Sequence, residues 1–82
     1  MHEVAIAGGI LEAVRTEVSA RKPVRPVKVG IQIGELAGID PASLAFCFEA
    51  LVQGTDLEPL ELEIERGPSD ELEFCYLELE PT

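Results

Sequence analysis

The only histidine of this 82-residue chain stands at position 2, directly after Met1. Taken alone, a histidine there is an exposed polar side chain and nothing more. Its setting gives it a chemistry. A free Met1 amine, the backbone amide nitrogen of His2 and the His2 imidazole can close two fused chelate rings on one ion. The amine (pKa about 7.7–8.0) and the imidazole (about 6.5) shed their protons near neutrality, so binding strengthens as the pH rises. All-nitrogen, square-planar coordination suits Ni(II) or Cu(II) and not Mg(II) or Ca(II), and affinity order alone would favour Cu(II). Glu3 can orient the imidazole or add negative charge beside the cation. A helix that begins immediately after His2 has first amides without intrahelical partners, so metallating them costs no helical hydrogen bond.

Other chemistries fail on inventory. Ser19, Ser43, Ser69, Thr16 and Thr55 are present with Cys47 and Cys75, but the single histidine is terminal. That argues against a Ser/His/Asp or Cys/His arrangement. There is no Gly-x-Gly-x-x-Gly and no Walker loop to cradle a phosphate. The chain reads as a non-enzyme. Cys47 and Cys75 lie 28 positions apart with no Cys-x-x-Cys spacing. They read as buried free thiols of a reducing compartment and not as zinc ligands.

The elements that must position the chain start follow from periodicity. Val4, Ala7, Leu11, Val14 and Val18, with Ile10 beside them, recur at steps of three or four and predict a helix from Glu3 to about Arg21, ended by Lys22-Pro23. Gly8 and Gly9 inside it suggest close approach of another element. Val27, Val29, Ile31 and Ile33 alternate with Lys28, Gly30 and Gln32, a half-buried strand. Gly34 to Gly38 is a turn region. Asp40 as N-cap and Pro41 at the first helical position announce a second helix with Leu44, Phe48, Leu51 and Val52 inside, stopped at Gly54.

In the last third, Leu60, Leu62 and Ile64 alternate with Glu61, Glu63 and Glu65, and Leu72, Phe74 and Tyr76 alternate with Glu71, Glu73 and Cys75. This predicts a hairpin with Ile64 opposite Leu72 and Leu62 opposite Phe74, joined by 66–70. That register would set Glu65 against Glu71 and Glu63 against Glu73. Like charges so placed are destabilising, so the face would welcome cations or a basic partner, although charged strand faces also serve simply to resist aggregation. A phase change after Tyr76 suggests a bulge. The expected architecture is a small single-domain α/β fold in the order α-β-α-β-β: a three-stranded mixed sheet with two helices and a right-handed strand–helix–strand crossover.

Bulk properties narrow the partners. The formal charge is −10, with six acids against five bases in residues 1–55 and ten acids against one base, Arg66, in 56–82. Such a chain repels phosphate backbones, which disfavours nucleic acid. No apolar stretch approaches the ~18 residues of a membrane span, and the start has no signal-peptide pattern, so a cytoplasmic protein is expected. An uncovered sheet edge leaves strand-mediated homodimers open.

Met1-His2-Glu3-Val4 with Ile6-Ala7, Val27-x-Val29-x-Ile31-x-Ile33-Gly34-x-Leu36, Pro41-x-x-Leu44-x-Phe46-x-Phe48 and Gly54-Thr55 together resemble the HypA/HybF nickel metallochaperones of nickel–iron hydrogenase maturation. Asp70-Glu71-Leu72-Glu73-Phe74 with Leu77-Glu78-Leu79-Glu80 looks like that family's closing strand. The resemblance covers nearly the whole chain. It implies that Met1, His2 and Glu3 form the nickel site, and that the partners are the nickel-insertion GTPase, the hydrogenase large subunit and, in some organisms, the urease nickel chaperone. Family members also carry a structural zinc module with two Cys-x-x-Cys pairs. Here residues 66–70 occupy its place, so residues 1–82 are expected to be a nickel-binding domain without zinc. The competing expectation is a metal-independent interaction module presenting the acidic hairpin face.

Overall fold

The centre of the sheet is the strand whose sequence is most evenly apolar on one side. β1 (Val24–Gly34) carries Val29, Ile31 and Ile33 on one face, each at most 1% exposed. In the computed structural model, which describes residues 2–82, it lies between β2 (Glu61–Gly67) and β3 (Leu72–Pro81). Two helices, α1 (Glu3–Ala20) and α2 (Pro41–Val52), complete the α-β-α-β-β order. β1 pairs with β2 in parallel (Val29 with Leu62, Ile31 with Ile64) and with β3 antiparallel (Val29 with Leu77, Ile31 with Phe74, Ile33 with Leu72). The sheet is mixed and three-stranded, as expected.

The expected hairpin is overturned. β2 and β3 do not form a hairpin: both pair with β1 and not with each other. The connection is 68–71, and Arg66 and Gly67 belong to β2. It crosses the end of β1, where Gly34 N–H donates to the Glu71 carbonyl (2.9 Å), Glu35 N–H to Gly67 (2.7 Å) and Leu36 N–H to Ser69 (3.0 Å). A side chain at Gly34 would run into the Ser69 backbone and lie 2.6 Å from its Oγ, so the crossing requires a residue without Cβ. The physical reason for the topology is on the open face. A hairpin would have set glutamates against glutamates. Instead Glu61, Glu63 and Glu65 stand beside Lys28, Gly30 and Gln32, and Glu78 and Glu73 beside Lys28 and Gln32 from the other side.

A bulge exists, but it lies just ahead of Tyr76 and not after it. The register with β1 skips Cys75, passing from Tyr76–Gly30 to Phe74–Ile31. This puts Tyr76 on the open face, opposite to the side read from simple alternation. Its ring lies over Gly30 and its hydroxyl donates to Glu63, so one side chain spans all three strands.

The other face holds the core: Ala7, Ile10, Leu11 and Val14 of α1, the three β1 residues, Leu44, Phe48 and Val52 of α2, and Leu57 and Leu60 ahead of β2. Counting only about 25 cal/mol per Å2, each large side chain so buried contributes about 1.5–3 kcal/mol. Val4 (63% exposed) and Leu51 (40%) fall outside the stripes expected of them. Val4 sits in the first turn of α1, and Leu51 lies at the margin of the α2 stripe. Gly8 and Gly9 have open space around them, so the expected close approach is absent. Cys47 is half-buried and Cys75 exposed, because the bulge turns it out of the ladder; neither is the buried thiol expected. Arg15 of α1 clasps Asp56 with two hydrogen bonds (3.0 and 3.3 Å), fixing the turn after α2, where Gly54 takes a φ of +79°.

Candidate metal centre

His2 is exposed and occupies the N-cap of α1, with φ −117° and ψ 9°. Its carbonyl accepts the first helical bond, from Ile6 N–H at 2.9 Å. Its side chain makes no capping hydrogen bond, so the imidazole is not committed to the helix it precedes. The amides of the following turn have no acceptor one turn back. Met1, the other nitrogen source, lies outside the described residues.

Glu3 takes a definite place. Its carboxylate accepts the backbone N–H of Asp40 at 3.1 Å, a contact across 37 positions. Asp40 in turn caps α2, its Oδ1 accepting from Ala42 N–H (3.0 Å) and Ser43 N–H (3.5 Å), and its Oδ2 from Ser43 Oγ (3.2 Å). The starts of the two helices are thus joined through one carboxylate and one amide. The Asp40 N–H, and after it Glu3's own N–H, hold the Glu3 carboxyl below the usual glutamate value of 4.5 against an opposing desolvation. A negative charge at the first turn of α1, facing the N-terminal end of α2, is also where helix dipoles favour it. His2 therefore stands beside an acid that stays ionised below the ordinary range.

Sequence reasoning saw Asp40 only as a cap. The Glu3–Asp40 link had no sequence signal, because it joins an acid to a backbone N–H, a group that almost every residue carries. Among the described residues no three His, Cys, Asp or Glu side chains gather into a metal-holding group. A site at His2 must complete itself from the backbone or from Met1. The acidic rows of β2 and β3 are separated by β1 and partly answered by Lys28 and by the Tyr76–Glu63 bond.

Comparison with known proteins bears on this corner. Residues 1–75 match the family model described as "HypA: Hydrogenase/urease nickel incorporation, metallochaperone, hypA". The hydrogenase maturation factor HypA of Chlorobium limicola is 46% identical over 65 residues, covering 79% of this chain and 56% of that protein. HypA of Methanopyrus kandleri is 41% identical over 69 residues, covering 82% of this chain and 49% of that protein. The chain thus spans about half the length of the curated relatives it matches. The solution structure of the Ni metallochaperone HypA from Helicobacter pylori superposes with a TM-score of 0.86 at 14% identity, covering 100% of both chains. At that identity the likeness concerns the fold.

Proposed function

Because the chain belongs to the HypA family, we propose that it carries Ni(II) as cargo on the Met1 amine, the His2 amide nitrogen and the His2 imidazole, with Glu3 in support. The single observation that carries this reading is an exposed, uncapped imidazole at the N-cap of α1 beside the ionised Glu3. Amine and amide nitrogen close a five-membered ring; amide nitrogen and imidazole Nδ1 close a six-membered one. The amide nitrogen binds the metal as its proton passes to solvent, and the complex gains the preference for square-planar ions of an all-nitrogen set. The third in-plane nitrogen leaves a fourth position through which a receiving ligand can enter without first displacing a protein donor.

Glu3 acts here as a positioning residue: its bond to the Asp40 amide fixes the first turn of α1, and with it the direction in which His2 leaves the helix. Delivery is to the nickel-insertion GTPase and the hydrogenase large subunit of the maturation pathway, in the cytoplasm. Among the described residues no helix is long and apolar enough to cross a membrane. No zinc is assigned to residues 1–82. The alternative of a metal-independent acidic module loses ground, because β1 separates the acidic rows that a hairpin would have set against each other.

The test is calorimetry with Ni(II) on the native chain, His2→Ala and a version bearing one extra residue ahead of Met1. Both changes are expected to abolish tight binding while leaving the circular dichroism of the fold unchanged. Retention of tight binding by the extended version would remove the terminal amine from the site and overturn the reading.

A further inference from the structure

β2 is an edge strand with an open outer side. Among the described residues its one strand neighbour is β1, which leaves alternate N–H and C=O groups along Glu61–Gly67 without a ladder partner. The ladder with β1 runs unbroken from Lys28–Glu61 to Gly34–Gly67, so the free side is regular too. The opposite edge, β3, carries the bulge at Cys75 and makes a poorer template. The apolar face of the β2 edge is also unfinished. Val29 and Ile31 of β1 are 1% exposed, whereas their β2 neighbours Leu62 and Ile64 are only half-buried. Beside Leu62 lies a groove between α2 and the start of β2, floored by Phe48, Val52 and Leu60. Glu49, Glu58 and Glu61 line it, and no Lys or Arg is found among its described lining residues.

Charge selects the occupant. Glu63 and Glu65 continue the acidic row along the strand, and the one base of β2, Arg66, falls in phase with Leu62 and Ile64 and not with the glutamates. On its inner side the row already has a neighbour. Lys28, Gly30 and Gln32 of β1 stand beside Glu61, Glu63 and Glu65, with Val29 and Ile31 between them on the other face. An outer neighbour of similar alternation would lay apolar side chains beside Leu62 and Ile64, toward the groove. It would set Lys or Arg beside the three glutamates, opposite charges in cross-strand positions. A second copy of this edge would instead set glutamate against glutamate, which is destabilising.

We infer that the free edge of β2 and the groove beside it dock an extended basic segment of another protein. The segment alternates Lys or Arg with apolar residues and adds to the sheet as a further strand. An edge of 7 residues with one groove falls short of the ~1,200 Å2 of a standard stable interface, so the contact is weak and reversible. The inference goes beyond nickel carriage and stands without it, since neither His2 nor Glu3 lines the groove.

The probe is an acetylated, amidated octapeptide of alternating lysine and valine, titrated into the full chain at low salt. It should bind with a Kd of about 0.1–1 mM. Amide NMR shifts should move within residues 61–67 and 45–53, amide exchange along β2 should slow, and added salt should weaken binding several-fold. The double variant Glu61→Lys with Glu65→Lys should lose about tenfold or more in affinity, with native circular dichroism and unaltered Ni(II) binding. No shifts at about 5 mM peptide overturn the inference. So do shifts centred on residues 72–81, which would place the peptide on the other edge. Equal binding by a glutamate–valine peptide overturns it, as does equal binding by the lysine–valine peptide methylated at every backbone nitrogen, which keeps its charges but cannot pair as a strand. Shifts of residues 61–67 that depend on protein concentration without peptide would make a second copy the occupant and overturn it as well.

Discussion

Substituting Gly30 by alanine tests whether Tyr76 is what binds the open face of the sheet together. A Cβ at Gly30 would sit 2.5 Å from Cζ and 2.6 Å from Cδ2 of the Tyr76 ring, and closer still to Cε2. The ring must therefore leave. Leaving breaks its hydrogen bond to Glu63, worth about 0.5–1 kcal/mol at an exposed site. It also returns to water the ring surface now lying on β1. Tyr76 is 38% exposed in place, so displacement uncovers roughly 60–80 Å2, or about 1.5–2 kcal/mol. The sum is about 2–3 kcal/mol, which for a domain of this size lowers the melting temperature by roughly 10–20 °C. The decisive comparison is the double-mutant cycle by urea denaturation. In a Tyr76→Ser background the space is empty, and Gly30→Ala should be neutral or stabilising by up to about 1 kcal/mol, because alanine costs the unfolded chain less freedom than glycine. Equal destabilisation in both backgrounds would refute the account of Tyr76.

Three further outcomes follow from the same structure. Glu3 has its carboxyl held below 4.5, so its contribution is complete above that value and is lost as the pH falls through the lower folded value. Native chain and Glu3→Gln should differ in urea stability at pH 7 and converge only as the pH falls from 4.5 through the lowered folded value; a difference constant with pH would contradict this. Phe48→Ala, at a position 2% exposed, should cost about 3–5 kcal/mol, a large share of the ~5–15 kcal/mol typical of a domain, whereas the exposed Phe46→Ala should change monomer stability little. Gly34→Ala should destabilise strongly by driving Ser69 off the end of β1, and hydrogen exchange at Leu36, which donates to Ser69, should rise with it.

Elements with a local cause were legible in the sequence. Asp40-Pro41 started α2 and Gly54 stopped near its end, both through backbone rules that act within a few residues. The β1 alternation named its own core face. Which strands were neighbours was not local, and adjacency in sequence misled: alternation assigns faces, not partners. The signal lay in the clash a hairpin would have made between Glu63 and Glu73. That clash disappears when Lys28, Gly30 and Gln32 are placed between the two acidic strands. At the chain start, the chemistry of His2 could be read from residue type and position. The Glu3–Asp40 contact could not, because its acceptor is a common carboxylate and its donor a backbone group.

The claim most directly open to measurement is that nickel displaces protons from the chain start. Titrating Ni(II) at pH 8 in buffers of different ionisation enthalpy counts them. Loss of the His2 amide proton and of the fraction still on a terminal amine with an ordinary pKa of about 7.7–8.0 totals about 1.3–1.5 protons per nickel. A release near that number, falling to nearly zero when the amine is blocked, is the result expected. Release of less than half a proton with binding retained would mean that nickel sits on imidazole and carboxylates without the backbone.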